Sequence, residues 1–276
     1  MTELTDRPFR VVTDAPTSGL QAAAQRVDHL AESFRDEFRA MTADVDLSVP
    51  VVDHPKVGSW LSRHDERSRE YAYRKLVTAS VPVQDHTLPL GPLLLQGPEG
   101  ACPGFAAAHA SNIIERLHGG TELLDAAAAH QLYERAKVLD QWPGEDYVGS
   151  SVLAAMQAGQ ERELWEGYTW SFGTRDIAQA ILANRPVVVG VPWLSGMFDT
   201  GPDAIVNVTG SNTGQGHALC LFATRTEVAG RPGPWFGWQN SQSADYGDDG
   251  VGWVHHRDLA RLLAGVGEAA VPLVAG

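Results

Sequence analysis

The sequence predicts an α+β protein with two lobes, and three observations indicate this fold class. Apolar residues in the first half of the chain recur with helical spacing, whereas the last third contains short apolar runs rich in β-branched residues. Helices that precede strands along a chain are typical of α+β proteins. With 276 residues, the chain can bury a large core, either as one domain or as two lobes.

Composition narrows the class of protein further. Hydrophobic residues make up 43% of the chain and charged residues 20%, as in ordinary globular proteins. The formal net charge of −13 disfavours nucleic acid as a partner, because an acidic chain repels phosphates. The longest apolar runs are far too short to cross a bilayer, so no membrane partner is expected.

Cysteine usage and the first residues bear on the compartment. Cys102 and Cys220 are the only cysteines, which is too few for a secreted disulfide scaffold, and no set of four ligands for a structural zinc is visible. Residues 1–10 lack the basic start and apolar stretch of a signal peptide. These features predict a cytoplasmic protein and leave its oligomeric state open.

Residues 1–80 are predicted to form an extension ahead of a main domain, residues 81–276. Apolar residues with helical spacing predict an amphipathic helix over 18–41. Residues 45–60 alternate in character and contain prolines, which indicates extended chain, and residues 62–79 are predicted to form a second short helix. The extension has two interpretations, a pro-segment that covers a cleft or a buttress for the main domain.

Turns, caps and apolar runs locate the elements of the main domain. A strand is predicted at 81–83, and the apolar residues 90–95 lead into a glycine-rich turn at 97–100. Helices are predicted over 105–117, 121–139, 151–158, 174–184 and 257–264, with Ser150 and Ser151 capping the third and Thr174 the fourth. Strands are predicted over 187–191, 217–223, 235–239 and 250–254.

Cys102 is the first residue that the sequence marks for chemistry. It follows the glycine-rich turn and precedes a predicted helix. A helix N-terminus favours negative charge and therefore lowers the pKa of a thiol, so Cys102 is a candidate nucleophile. A small buried hydrophobe at a helix start would look the same at this level.

Three segments, read together, make the pattern specific. They are Gln96-Gly97-Pro98-Glu99-Gly100-Ala101-Cys102, then Gly216-His217-Ala218, then Asn240-Ser241 followed by Tyr246-Gly247 and Gly250. This arrangement resembles the papain family of cysteine peptidases, in which cysteine, histidine and asparagine occur in this order. The resemblance spans about residues 81–270 and suits a divergent bacterial or phage-type member. It implies a papain-like two-lobe fold, with a helical lobe and an antiparallel β-barrel-like lobe.

The resemblance also implies a role for each site residue. Cys102 would attack a carbonyl carbon, and His217 would take the thiol proton and later protonate the leaving amine. Asn240 would hold the imidazole ring as the third member of the triad. Gln96 would donate to the oxyanion together with the backbone N–H of Cys102. No metal or organic cofactor is required.

The chain departs from the family pattern at several positions. Pro103 and Gly104 follow Cys102 where the family has an aromatic residue, and Gln242 stands where a family tryptophan shields the His–Asn bond from water. Trp238 and Trp253 are the candidates to provide that shield. A further apolar group, Trp193, Met197 and Phe198, is expected either to line the substrate cleft or to pack in the core.

Other polar residues are interpreted structurally. Cys220 is expected in the core, on the face of its strand opposite His217, and His109 is expected to pack or to lie at the surface. His255 and His256 are adjacent on a predicted strand and should point to opposite faces, which disfavours a shared metal site. The aspartates at 245, 248 and 249 lack the ligand spacing of a calcium loop.

The predicted function is that of a cysteine hydrolase, a peptidase or amidase that forms a covalent acyl-enzyme. Its substrate would be a peptide, a protein or a small amide. Two alternatives share the same residues. One is an acyltransferase or peptide ligase, in which an amine resolves the acyl-enzyme; the other is a non-catalytic binding protein that retains the fold. Pro103 and Gln242 favour the binding protein, whereas the intact set Gln96, Cys102, His217 and Asn240 favours an enzyme.

Overall fold

The computed structural model describes residues 82–142, 144, 148–265 and 267–274. The predicted extension, residues 1–80, lies outside these residues, as do its predicted helix at 18–41, its extended segment and its second helix.

Three helices form the first part of the described chain. They are α1 (Cys102–Leu117), α2 (Ala126–Leu139) and α3 (Val152–Glu161). The side chain of Asp125 accepts the backbone N–H of Ala128 and caps α2, and Ser151 caps α3 by accepting from Ala154. Helix α1 begins without a side-chain cap, but Pro103 lies in its first turn, where a missing N–H costs no intrahelical hydrogen bond.

A single antiparallel sheet of seven strands forms the second part. The strands are β1 (His86–Thr87), β2 (Gly167–Trp170), β3 (Val187–Leu194), β4 (Asn212–Val228), β5 (Arg231–Gln239), β6 (Val251–His255) and β7 (Glu268–Leu273). Their order is β2-β7-β3-β4-β5-β6, and β1 pairs with the far end of β4. The long strand β4 is central because it pairs with β1, β3 and β5.

The remaining helices pack around the sheet. They are α4 (Thr174–Leu182), α5 (His256–Gly265) and a short 3-10 helix, Ser195–Phe198, directly after β3. Gly173, in an extended conformation, is the N-cap residue of α4, so the prediction that Thr174 caps this helix was wrong by one position. None of the helices described is long and apolar enough to span a membrane.

The α+β class with antiparallel strands is confirmed, but the described sheet is open and does not close into a barrel. Its outer strands are β2 and β6, which are not neighbours. Residues 204–206 cover the free edge of β6 through two backbone hydrogen bonds with Trp253, one donated by Val206 and one accepted by Ala204. This cover protects an edge that would otherwise offer unpaired backbone groups.

Most predicted elements are present, with shifted ends. The helix predicted over 105–117 begins three residues earlier, at Cys102 itself. The strand predicted at 81–83 was wrong for residues 82–83, because the paired residues are His86–Thr87. Strands β2 and β7 were not predicted, although β7 joins β2 to β3.

Helices α1 and α2 approach closely at Gly104. A Cβ atom at this position would lie 2.5 Å from both the carbonyl oxygen of Ala129 and the backbone nitrogen of Tyr133. Only glycine therefore fits between the two backbones. This contact explains why the chain has glycine two residues after Cys102, and it fixes the position of the start of α1.

His109 is buried inside α1 and supports the segment that leads to Gln96. Its Nε2 atom accepts the backbone N–H of Leu94 at 3.0 Å. The ring is 1% exposed, and burial lowers the pKa of His109 to about 3. His109 therefore remains neutral in the folded protein. Of the two predicted interpretations, packing and a surface position, the structure confirms packing.

Replacing His109 with glutamine should flatten the dependence of stability on pH. The folded-state pKa of about 3 lies below the ordinary value of 6.5, so the unfolded chain binds a proton that the folded chain does not bind. Stability is thus fully present above about pH 6.5 and falls as the pH drops toward 3. We expect the His109→Gln protein to bind about one proton fewer than the native protein when it unfolds below about pH 6.5.

Urea unfolding at several pH values between 4 and 7 measures this uptake. Glutamine can still accept from Leu94, so the variant tests the charge and not the hydrogen bond. Parallel curves of unfolding free energy against pH for the two proteins would contradict the interpretation.

Candidate active site

Cys102 is the first residue of α1 and is completely buried. The backbone N–H of Ala218, in β4, donates to its Sγ atom at 3.4 Å. Hydrogen bonds to sulfur and the N-terminal end of a helix both favour the thiolate over the thiol. The nucleophile predicted from the sequence therefore lies at the contact between the helices and the sheet, beside the residue that follows His217.

His217 lies in β4 opposite Val191 of β3, and its ring is fully buried. Its Nε2 atom is 2.7 Å from Oδ1 of Asn240. Its Nδ1 atom has no hydrogen-bond partner in the described part of the chain. Burial lowers the pKa of His217 to about 4, and the hydrogen bond to Asn240 opposes this shift.

Asn240 follows the last residue of β5 and is also fully buried. Its backbone N–H donates to the carbonyl oxygen of Gly250 at 2.8 Å. The segment between them turns back through Gly247 and Gly250, whose φ angles are 63° and 81°. The turn thus explains the spacing of glycines after Asn240 that the sequence showed: it anchors the asparagine that holds His217.

Both the backbone and the side chain of Gln96 form hydrogen bonds with Ser241, the residue after Asn240. Its backbone N–H donates to the carbonyl oxygen of Ser241 at 2.9 Å, and its Oε1 atom accepts from the Ser241 hydroxyl at 2.6 Å. Its Nε2 atom donates to the carbonyl oxygen of Glu99 at 2.6 Å. An amide nitrogen carries two hydrogens, so a second one is available to a ligand.

Trp193 shields the histidine, a role that the sequence did not assign to it. Its indole ring packs edge-on against the His217 ring, with centroids 4.9 Å apart, and it is fully buried. Trp238 packs behind it at 6.1 Å, whereas Trp253 contacts Phe222 and the Arg225 guanidinium instead. The strand pairing explains this arrangement, because Trp193 lies two residues beyond Val191, the partner of His217.

A cavity of about 380 Å³ adjoins the site. Its lining includes Gly97 and Pro98, which follow Gln96, and Gln242 and Ser243, which follow Ser241. The other lining residues are Phe198, Asp199, Asp245 and Tyr246. Phe198 lines this cavity and also packs against the core, whereas Met197 is buried in the core. The cavity is linked to the site through Gln242, which contacts the side chain of Asn240.

Of the other polar residues considered from the sequence, Asp245 lines this cavity, whereas Cys220, His255 and His256 do not. Cys220 is buried, and burial raises the pKa of its thiol. His255 and His256 do not point to opposite faces: His256 begins α5, and the two ring centroids are 4.6 Å apart. Even so, no three His, Cys, Asp or Glu side chains within the described ranges form a group that could hold a metal ion.

Comparisons with known proteins identify the fold. No profile of a known family and no curated protein sequence matches the chain. Solved structures do match. Xylellain, a cysteine protease from Xylella fastidiosa, is 13% identical with a TM-score of 0.64, covering 82% of this chain and 100% of its own.

Two further matches have similar identities. Digestive procathepsin L2 from Tenebrio molitor larval midgut is 14% identical with a TM-score of 0.57, covering 96% of each chain. The bromelain protease from Ananas comosus, solved with the E64 inhibitor, is 17% identical with a TM-score of 0.52, covering 71% of this chain and 100% of its own. With its helices, its antiparallel sheet and these matches, the chain has the fold of the papain-like cysteine proteases.

Proposed function

We propose that this protein is a cysteine hydrolase that cleaves a peptide or amide bond, with Cys102 as nucleophile and His217 as base. The observation that carries the proposal is the buried hydrogen bond between His217 Nε2 and Asn240 Oδ1, at 2.7 Å. It leaves Nδ1 as the basic nitrogen of the ring. The cysteine lies against the N–H of the next residue, Ala218.

The reaction would proceed in two steps. The Cys102 thiolate attacks the carbonyl carbon, and the C–N bond breaks as His217 gives the thiol proton to the leaving amine. Water then attacks the thioester and gives one proton to His217, and the C–S bond breaks to release the acid and restore the Cys102 thiolate beside the imidazolium. A thiolate at Cys102 would stabilise the charged imidazolium and so oppose the lowering of the His217 pKa by burial.

The cavity beside the site would receive the leaving group. It borders Gln242, which contacts Asn240, and Asn240 holds the histidine that protonates the leaving amine. The proposed substrate is a peptide, a protein or a small amide, of which only the group next to the scissile bond would enter the cavity. The carboxylates of Asp199 and Asp245 at its lining favour a leaving group without negative charge.

Gln96 would stabilise the oxyanion, and Gln96→Ala should lower kcat by about 10²–10³-fold without abolishing turnover. The reason is that the amide donates where negative charge develops during the attack. Initial rates on a quenched fluorescent peptide library measure the effect.

Two further variants separate this role from a structural one. Ser241→Ala removes the hydroxyl that holds Gln96 but keeps its amide, so its loss should be smaller than that of Gln96→Ala. Gln131→Ala, an exposed glutamine of α2, is the matched control and should not change the rate. An unchanged kcat for Gln96→Ala would contradict the role.

Alkylation of the native protein tests the proposal without a known substrate. Limiting iodoacetamide is applied between pH 4 and 9, and mass spectrometry locates the label. We expect Cys102 to react well below the ordinary thiol pKa of about 8.5. Cys220, which is buried with a raised pKa, serves as the internal control.

The opposite result would be labelling of Cys102 only on unfolding, or at the rate of an ordinary thiol. The same measurement on a chain that begins at residue 81 then distinguishes a covered cleft from an unassembled pair. If the shortened chain is folded and Cys102 still reacts as an ordinary thiol, the hydrolase proposal fails in favour of a binding protein.

A further inference from the structure

Gln242 makes two contacts with the amide group of Asn240. The backbone N–H of Gln242 donates to Oδ1 of Asn240 at 3.1 Å. The Nδ2 atom of Asn240 donates to Oε1 of the Gln242 side chain at 3.2 Å. The two ends of the asparagine amide are therefore bound by two different groups of one residue.

These contacts fix which way the asparagine amide faces. A backbone N–H can only donate, so it must meet the oxygen of the amide and not its nitrogen. A turned amide would bring two donors together, because Nδ2 would then face the N–H of Gln242. The side-chain oxygen of Gln242 accepts from the other end and holds the amide in the same orientation.

The orientation of Asn240 in turn selects the tautomer of His217. Because Oδ1 can only accept, the ring nitrogen 2.7 Å away, Nε2, must carry the hydrogen. The neutral ring then has its lone pair on Nδ1. His217, Asn240 and the covering Trp193 are all fully buried, so water has little access to replace a lost contact.

We propose that Gln242 is a positioning residue that locks the Asn240 amide and thereby keeps the base of the reaction on Nδ1 of His217. The inference rests on the proposed function, because a base is needed only if Cys102 reacts. It also gives Gln242 a role of its own at the position where the resembling family has a tryptophan. Trp193 covers the His217 ring, and Gln242 orients the Asn240 amide.

The decisive comparison is between Gln242→Leu and Gln242→Glu in the full-length chain. Leucine removes the oxygen that accepts from Asn240, whereas glutamate keeps an acceptor on a side chain of the same length. We expect Gln242→Leu to lower kcat/KM by about tenfold, as for the loss of one hydrogen bond that supports a charged group. Gln242→Glu should restore most of this loss.

The pH profile separates positioning from general damage. The hydrogen bond to Asn240 stabilises the imidazolium, so a looser Asn240 lowers the pKa of that form. For Gln242→Leu, the alkaline limb of kcat/KM should therefore move to lower pH, and for Gln242→Glu it should not. A substrate with a small leaving group avoids contacts that Gln242 could make in the cavity, and Gln131→Leu controls for the chemical change alone.

A second readout does not depend on turnover. Long-range ¹H–¹⁵N correlation spectra of histidine-labelled protein, recorded on Cys102→Ala, report which nitrogen of His217 carries the proton. We expect the Nε2–H tautomer alone, and a mixture once Gln242→Leu is added. The same single tautomer in both proteins, or equal kinetics for the leucine and glutamate variants, would overturn the inference. Absence of turnover with ordinary Cys102 reactivity would instead reject the proposed function.

Discussion

His217→Ala is expected to lower the rate at which iodoacetamide labels Cys102 at pH 6 by about 100-fold. Without the imidazolium, the thiol should return toward its ordinary pKa of about 8.5, and less than about 1% of it is then ionised at pH 6. Hydrolysis should fall further, by about 10⁴-fold or more, because the leaving amine also loses its proton donor. Mass spectrometry and a peptide-library assay measure the two effects.

The control for this change is His86→Ala. His86 lies in β1, and its ring nitrogen bonds Asn184 away from the site. It should keep the labelling rate of the native protein, and both variants should retain their thermal transitions. Labelling of a folded His217→Ala protein at the native rate would show that another group activates Cys102.

Gly104→Val is expected to have the largest effect on stability, a loss of about 3 kcal/mol or more. Its Cβ would lie 2.5 Å from two backbone atoms of α2, and a backbone cannot move aside as the end of a side chain can. Either α1 or α2 must shift, and α1 carries Cys102 at its first residue. Urea unfolding measures the loss, and Cys102 alkylation reports the displaced start of the helix.

Gly167→Ala is the matched control, because the space beside Gly167 in β2 is open and its backbone is not left-handed. We expect its unfolding free energy to remain within about 0.5 kcal/mol of that of the native protein. A Gly104→Val protein of native stability would mean that the two helices are not in the close contact described.

The sequence was most informative where a short local pattern determines the structure. Helix α1, the cap at Ser151 and the buried strand β3 follow from short patterns. Gln96, Cys102, His217 and Asn240 were predicted as a set because they stand in a specific order. The structure links them through contacts with Ser241 and Ala218 and through the bond between His217 and Asn240. Their catalytic roles remain predictions that the variants above can test.

What the sequence did not reveal depends on pairing between distant strands. Strand β7 contains two alanines and a proline, and it is a strand because β2 and β3 flank it. The shield was sought in Trp238 and Trp253, but Trp193 is the ring that reaches His217. That neighbour relation follows from the β3–β4 register, which no local pattern contains.

The separation of the site residues along the chain has a consequence for synthesis. Ala218, which contacts Cys102, comes 116 residues after it, and Asn240 comes 23 residues after His217. At about 5–20 residues per second, a ribosome needs roughly 6–23 seconds to travel from Cys102 to Ala218 in β4. Throughout that interval Cys102 lacks its proposed base, His217. Under the proposed function, Cys102 in the unfinished chain is therefore an ordinary thiol, and it becomes reactive only after β4 has been made.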